Sequence, residues 1–178
     1  MTKVSSKYLR KGCDEMGKNH IKDTYMVLIQ DETLKRLLWY TPEDILKNTP
    51  NPLSPTLPNI SNDEELNWKV IDDRILLNSK SDDLVDDEKC RLYLYLGDVN
   101  QTGHLVMVNQ EIVIDVLWHE IFDKDLRFNS IKERLCELLD DKYITGIGKM
   151  RYYDGIPIKT PKNYSGYRHI FQVGSTKS

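Results

Sequence analysis

The stretch Arg91-Leu92-Tyr93-Leu94-Tyr95-Leu96 decides how this chain is read. Its leucines fall on one face and its tyrosines on the other, the period-two pattern of a strand with one face in a core. Glu111 to Trp118 repeats the pattern. Ile112, Ile114, Val116 and Trp118 share one side, and Val113, Asp115, Leu117 and His119 the other. Between the two runs, Gly97-Asp98-Val99-Asn100-Gln101-Thr102-Gly103 is turn chemistry, because glycine reaches positive φ freely and Asp and Asn tolerate the left-handed region. The chain resumes at Leu105-Val106-Met107-Val108, so the two runs are expected to form an antiparallel hairpin.

A helix follows. Ile131, Leu135, Leu138 and Leu139 recur at i, i+4, i+7 and i+8, one apolar stripe, with Lys132, Glu133, Arg134 and Glu137 on the wet side. Ser130 and Glu133 have capping-box spacing, with an earlier start near Leu126 as the alternative. Gly146 and Gly148 mark the exit. Ile147, Met150 and Tyr152 open a third strand, and Gly166 to Val173 give a fourth. Asp154 to Ser165 holds Pro157 and Pro161 and reads as a long exposed loop. The expected fold class is therefore α+β: a small mixed or antiparallel four-stranded sheet with one helix across it, in the order β-β-α-β-β. The face without the helix, bearing tyrosines, Trp or His, is left to meet a partner.

The first half divides differently. Residues 1–20 are basic and polar, with no apolar core of a secretory signal, and read as a mobile N-terminus. Residues 21–78 read as a helical segment with a Pro-rich arm at 41–58. Tyr25, Leu28 and Ile29 form one apolar cluster and Leu34, Leu37, Leu38 and Trp39 another, with Asp31 and Thr33 placed to cap or restart the helix between them. Five prolines (42, 50, 52, 55 and 58) exclude regular helix or central strand over the arm. It lies either across its own surface or on a neighbouring subunit. Ser61 to Leu66 starts a short helix that Trp68-Lys69-Val70-Ile71 either extends or leaves for a strand. Residues 89–173 form the α+β domain.

Composition narrows the function classes. A net charge of −3 over 178 residues argues against a protein that coats nucleic acid. No apolar run approaches the roughly twenty residues of a membrane-spanning helix. Cys13, Cys90 and Cys136 are odd in number and widely spaced, which fits a reducing compartment rather than a disulfide framework, and Cys90 and Cys136 sit in apolar patterns that read as buried thiols.

Candidate chemistry is sparse. The acidic groups Asp72-Asp73, Asp82-Asp83, Asp86-Asp87-Glu88 and Asp140-Asp141 lie in polar runs and read as solvated. His119-Glu120 is half of a zinc-protease motif, but position 123 is Asp123, so His119 is read as a strand-end residue. Asp115 inside an apolar strand must face water, pair or lose its charge. One reading makes it a nuclease metal ligand with Glu111 and Lys149; the other makes it a solvent-facing or inter-subunit ion-pair residue. Gly146-Ile147-Gly148 runs from helix to strand, the reverse of a phosphate loop. No catalytic residue, cofactor or metal is expected.

The run "EIVIDVLWHEIFDKDLRFNSIKERLCELLDDKYITGIGKMRYYDGIP" followed by "YRHIFQV" resembles the tail-completion and tail-terminator proteins of tailed bacteriophages. The resemblance spans Lys89 to Val173. It implies a structural virion protein of the phage neck, assembled in the host cytoplasm. It further implies a homo-oligomeric ring, most often a hexamer, that joins tail tube to connector and lets DNA pass without specific binding. Closed rings need head-to-tail contacts, for which exposed sheet edges are candidates. Tyr93, Tyr95, Trp118, His119, Tyr152, Tyr153, Asp154 and Tyr164, with the 154–165 loop, are the expected contact surface. The alternatives are a metal-dependent nuclease and a host-directed binding or inhibitor module.

Overall fold

A computed structural model describes residues 19–44, 46–78, 87–101, 108–146 and 148–174. Helix α1 occupies residues 19–30 and α2 follows at once over Glu32–Trp39. Asp31 makes the break, its carboxylate accepting the Leu34 N–H at 2.7 Å as an N-cap. Helix α3 (Glu64–Arg74) is capped in the same way by Asp63 and runs on through Trp68 to Ile71. Strands β1 (Ile75–Leu76), β2 (Cys90–Gln101) and β3 (Val108–His119) come next, then helix α4 (Arg127–Leu139), β4 (Met150–Pro157) and β5 (Tyr164–Val173).

The class is α+β, with five strands in the order β1-β2-β3-β5-β4 rather than four. β1 is parallel to β2, and the other pairs are antiparallel. The expected β2–β3 hairpin forms, with Leu94 opposite Ile114 and Leu92 opposite Val116. β1 escaped the sequence because two residues carry no period.

One helix does not cover this sheet. Five strands about 4.8 Å apart span about twice the diameter of a helix. Leu28 of α1, Leu34, Leu37 and Leu38 of α2, and Ile131, Leu135 and Leu139 of α4 join one core with Leu92, Leu94, Ile112, Ile114, Val116 and Phe171 of the sheet. The helical segment of the first half is thus built into the core of the second.

Three local expectations are corrected. The turn expected from Gly97 is still strand: β2 continues to Gln101 through a bulge between Leu96 and Val99. A Cβ at Gly97 would lie 2.7 Å from Val113, so glycine is needed for close packing there rather than for turning. The exposed loop expected at 154–165 shrinks to residues 158–163, because β4 extends to Pro157 and β5 begins at Tyr164. Proline is tolerated there because β4 is the edge strand, where an outward N–H has no ladder partner to lose. Helix α4 starts at Arg127, after Leu126 in the left-handed region, so Ser130 lies inside the helix instead of capping it.

The Pro-rich arm lies on its own chain. Arg36 donates to the Ser54 carbonyl, and the Tyr40 hydroxyl donates to the Pro58 carbonyl at 2.8 Å. The Glu32 carboxylate accepts from the backbone N–H groups of Ile60 at 2.6 Å and Ser61 at 2.9 Å. Buried Lys35 reaches Ser61 and Asn67. Three polar side chains of α2, with Tyr40 just beyond its end, thus satisfy backbone and side-chain groups between Ser54 and Asn67.

Candidate functional site

The sheet face turned away from α1, α2 and α4 is where the chain gathers polar and aromatic groups. Its centre is fixed by register. Asp115 on β3 sits directly opposite Arg168 on β5, and Tyr95 on β2, opposite Val113, is two positions along on the same face. Arg168 grips the Asp115 carboxylate with two bonds, Nε to Oδ1 at 2.8 Å and Nη2 to Oδ2 at 2.9 Å. The Tyr95 hydroxyl donates to Asp115 Oδ2 at 2.7 Å, and the Arg168 guanidinium lies 5.7 Å from the Tyr95 ring centre. Asp115 is buried, so this bidentate pair, strong by geometry, holds its charge within the chain. Burial and then the Asp115 carboxylate push the Tyr95 phenol well above its ordinary value. The solvent-facing and inter-subunit readings of Asp115 give way to this internal pair.

Apolar groups flank the network on its β4 side. Tyr153 is 62% exposed and Ile156 42%. Tyr153 owes its exposure to a bulge between Tyr152 and Asp154, which adds a residue to β4 opposite β5. Asp154 is exposed beside it and accepts the Gly155 N–H at 2.7 Å.

Other expected contact residues lie elsewhere. Tyr93, Leu117 and Tyr164 form a second small core with Leu76 and Ile158, so Tyr93 and Tyr164 are buried where the 158–163 connection packs on the sheet near its β1 edge. The Tyr164 hydroxyl donates to the Asp87 carbonyl and accepts the Lys89 N–H. Trp118 belongs to the helix side: its ring stacks on Phe128 at 4.6 Å and its Nε1–H donates to Asp123 at 2.7 Å. His119 is half-buried and caps the 3-10 turn Glu120–Asp125 through Nδ1, which accepts the Ile121 N–H at 3.4 Å. Tyr152 faces the helices too, edge-on to Phe171, and burial pushes its phenol up to about 12. Of the eight, Tyr95, Tyr153 and Asp154 remain on the outer face.

The nuclease arrangement is not formed. Glu111 and Asp115 are four residues apart on one strand, about 13 Å. Both Asp115 oxygens are occupied, and Lys149 is held by Asp141 at 2.9 and 3.0 Å. Among the described residues no cluster of His, Cys, Asp or Glu could hold a metal ion. Of the acidic pairs, Asp73 is no solvated bystander: Arg91 and Lys89 hold its carboxyl below the usual range against the cost of burial. Asp82, Asp83 and Asp86 lie outside the described residues, as do Cys13, His104 and Ile147. Cys90 and Cys136 carry free thiols, and burial pushes that of Cys90 up to about 12.

Sheet edges, candidates for assembly, are guarded at β4. The Lys142 carbonyl accepts the Met150 N–H and the Met150 carbonyl accepts the Asp141 N–H, both at 2.8 Å, Asp140 accepts the Tyr152 N–H at 2.9 Å, and Tyr167 donates to the Gly155 carbonyl at 2.9 Å. Pro157 has no N–H to offer. A strand added to this edge would find few free partners, the ordinary protection against uncontrolled pairing.

Sequence spacing gives His169 no metal-like partner and did not foretell its buried place. His169 lies on the helix side, fully buried, with ring contacts to Phe128 (5.9 Å), Tyr152 (5.9 Å) and Tyr167 (5.0 Å). Neither ring nitrogen has a hydrogen-bond partner. Burial, helped by Lys132 and opposed by Asp115, lowers its pKa to about 4. Its alternation with Phe171 and Val173 was the available signal.

Residues 31–173 match the family YomW. The chain is 30% identical over 167 residues to the SPbeta prophage-derived uncharacterized protein YomW of Bacillus subtilis (strain 168), covering 86% of this chain and 94% of that protein.

Proposed function

This chain belongs to the YomW family, and from that membership we propose that it is a phage-derived structural protein of the virion, a subunit of the neck that completes or terminates the tail. The observation that carries the reading is the outer sheet face. Tyr153 and Ile156 stand exposed beside an ion-paired centre that is already neutralised within the chain. Such a surface is suited to burial against another protein: its charges need no new partner, and its apolar rim gains from leaving water. Copies meeting through this face and a different surface of the next subunit would close a ring, most often a hexamer, without catalysis. The prophage origin of the Bacillus subtilis relative supports the same setting.

The test is to purify particles of the phage that encodes the chain and probe them for it by immunodetection and mass spectrometry, separating tails from capsids. A fixed small copy number in tailed particles is expected. Absence from intact particles would refute the proposal. Light scattering with negative-stain imaging of the isolated protein then gives the ring order.

A further inference from the structure

A cleft of about 590 Å³ opens between the Pro-rich arm and the 3-10 turn that precedes α4. It lies in the region of His119 to Arg127, away from the Tyr95–Asp115–Arg168 network. Two leucines line it: Leu46, 98% exposed, and Leu126, 67% exposed. Leucine rarely stands so far into solvent. Leu126 does so in the left-handed region, at φ 53° and ψ 36°, where an L residue with a bulky side chain is strained and Gly or Asn is ordinary. Strain kept at an exposed apolar residue points to use rather than packing.

The other walls are acidic. Glu43, Asp44 and Asp125 line the cleft against one cation, Lys124. The Asp125 side chain is 9% exposed, and its Oδ2 is held by Arg127 at 2.7 Å. Its Oδ1 is buried and has no hydrogen-bond partner. An unmet carboxylate oxygen under an acidic cleft calls for a donor, and a cationic one most of all. The frame around it is fixed. Arg127, buried beneath, donates to the carbonyls of Leu37 and Tyr40 at the end of α2. Asp44 and Thr49 form an isolated bridge that presents Leu46.

We propose that this cleft is a recognition pocket for a basic side chain of a partner protein, an arginine or lysine flanked by an apolar residue. Asp125 Oδ1 accepts from its head, Glu43 and Asp44 supply the complementary charge, and Leu46 and Leu126 grip the apolar neighbour. The pocket stands apart from the outer sheet face and does not depend on the neck reading.

The probe is acetyl-leucyl-arginyl-leucine amide, titrated into the full chain and followed by backbone amide shifts. The same peptides with lysine and with citrulline serve as arms, citrulline keeping the shape and losing the charge. Saturable shifts confined to 43–51 and 124–126 are expected, with citrulline about tenfold weaker. Leu126→Gly separates binding from folding: it removes one wall and the backbone strain together, so the melting temperature holds or rises while affinity falls about tenfold. Glu43→Gln, an exposed change, weakens the arginine peptide and leaves the citrulline peptide unaffected. Equal binding of arginine and citrulline peptides, shifts mapping elsewhere, or a Leu126→Gly chain that binds like the parent would each overturn the proposal.

Discussion

Replacing His169 with Phe removes a specific pH dependence from this protein. The residue is caged by Phe128, Tyr152 and Tyr167, with Lys132 of α4 and Asp115 of β3 the nearest charges acting on it. Its pKa is about 4 in the folded chain against an ordinary 6.5. The unfolded chain therefore takes up the proton first. Stability is full above about pH 6.5, falls as pH drops toward 4, and loses no more below that. Each pH unit between the two values is worth about 1.4 kcal/mol, so the loss approaches about 3 kcal/mol. A phenylalanine fits the same aromatic cage and gives up no hydrogen bond, since neither nitrogen makes one. At pH 7 the variant should match or exceed the parent. Urea melts of both chains at pH 7, 6, 5 and 4.5 give the difference directly. Carboxylates such as Glu32 and Asp73, whose pKa values are held low, titrate in both and cancel. Trp118, stacked on Phe128, supplies the fluorescence signal. The reasoning is refuted if the gap between the two chains stays constant across this range.

Three further outcomes are expected. Arg168→Met strands the buried Asp115 carboxylate with Tyr95 alone. Arg168 is partly exposed, so the cost is about 1–3 kcal/mol rather than the full buried-pair value, and adding Asp115→Asn should recover part of it; chemical denaturation of the double-mutant cycle decides. Leu135→Ala empties a fully buried site between helix and sheet and should cost about 2–5 kcal/mol, so a variant that melts with the parent would contradict the core assignment. Gly155→Ala drives a methyl into the Tyr152 and Tyr167 rings that close over the β4 edge and should cost about 1–3 kcal/mol, visible also as faster amide exchange along β4.

Much of the framework was legible from local pattern. Alternating Leu and Tyr at 91–96 and Ile and Val at 112–118 mark strands because side chains on a pleated backbone point to opposite faces in turn. The stripe Ile131, Leu135, Leu139 marks α4, and Asp31 caps α2, for the same kind of reason: the periods and caps belong to a few neighbouring residues. What lies on each face was less legible. Alternation put Tyr93 and Tyr95 together, yet one is sealed in a second core by Leu76 and Ile158 while the other remains on the outer face. The covering residues come from distant parts of the chain.

By itself, then, the sequence determined the α+β class, the helix stripe and the strands with a clear period. Only the tertiary structure decided the fifth strand, the bulge that exposes Tyr153, the arm folded back on α2, and the Asp115–Arg168 pair across 53 residues. The physical reason is common to all four. A period or a cap is set by local backbone geometry, whereas strand register and coverage depend on where separated segments meet, and a shift of one residue moves a side chain to the opposite face.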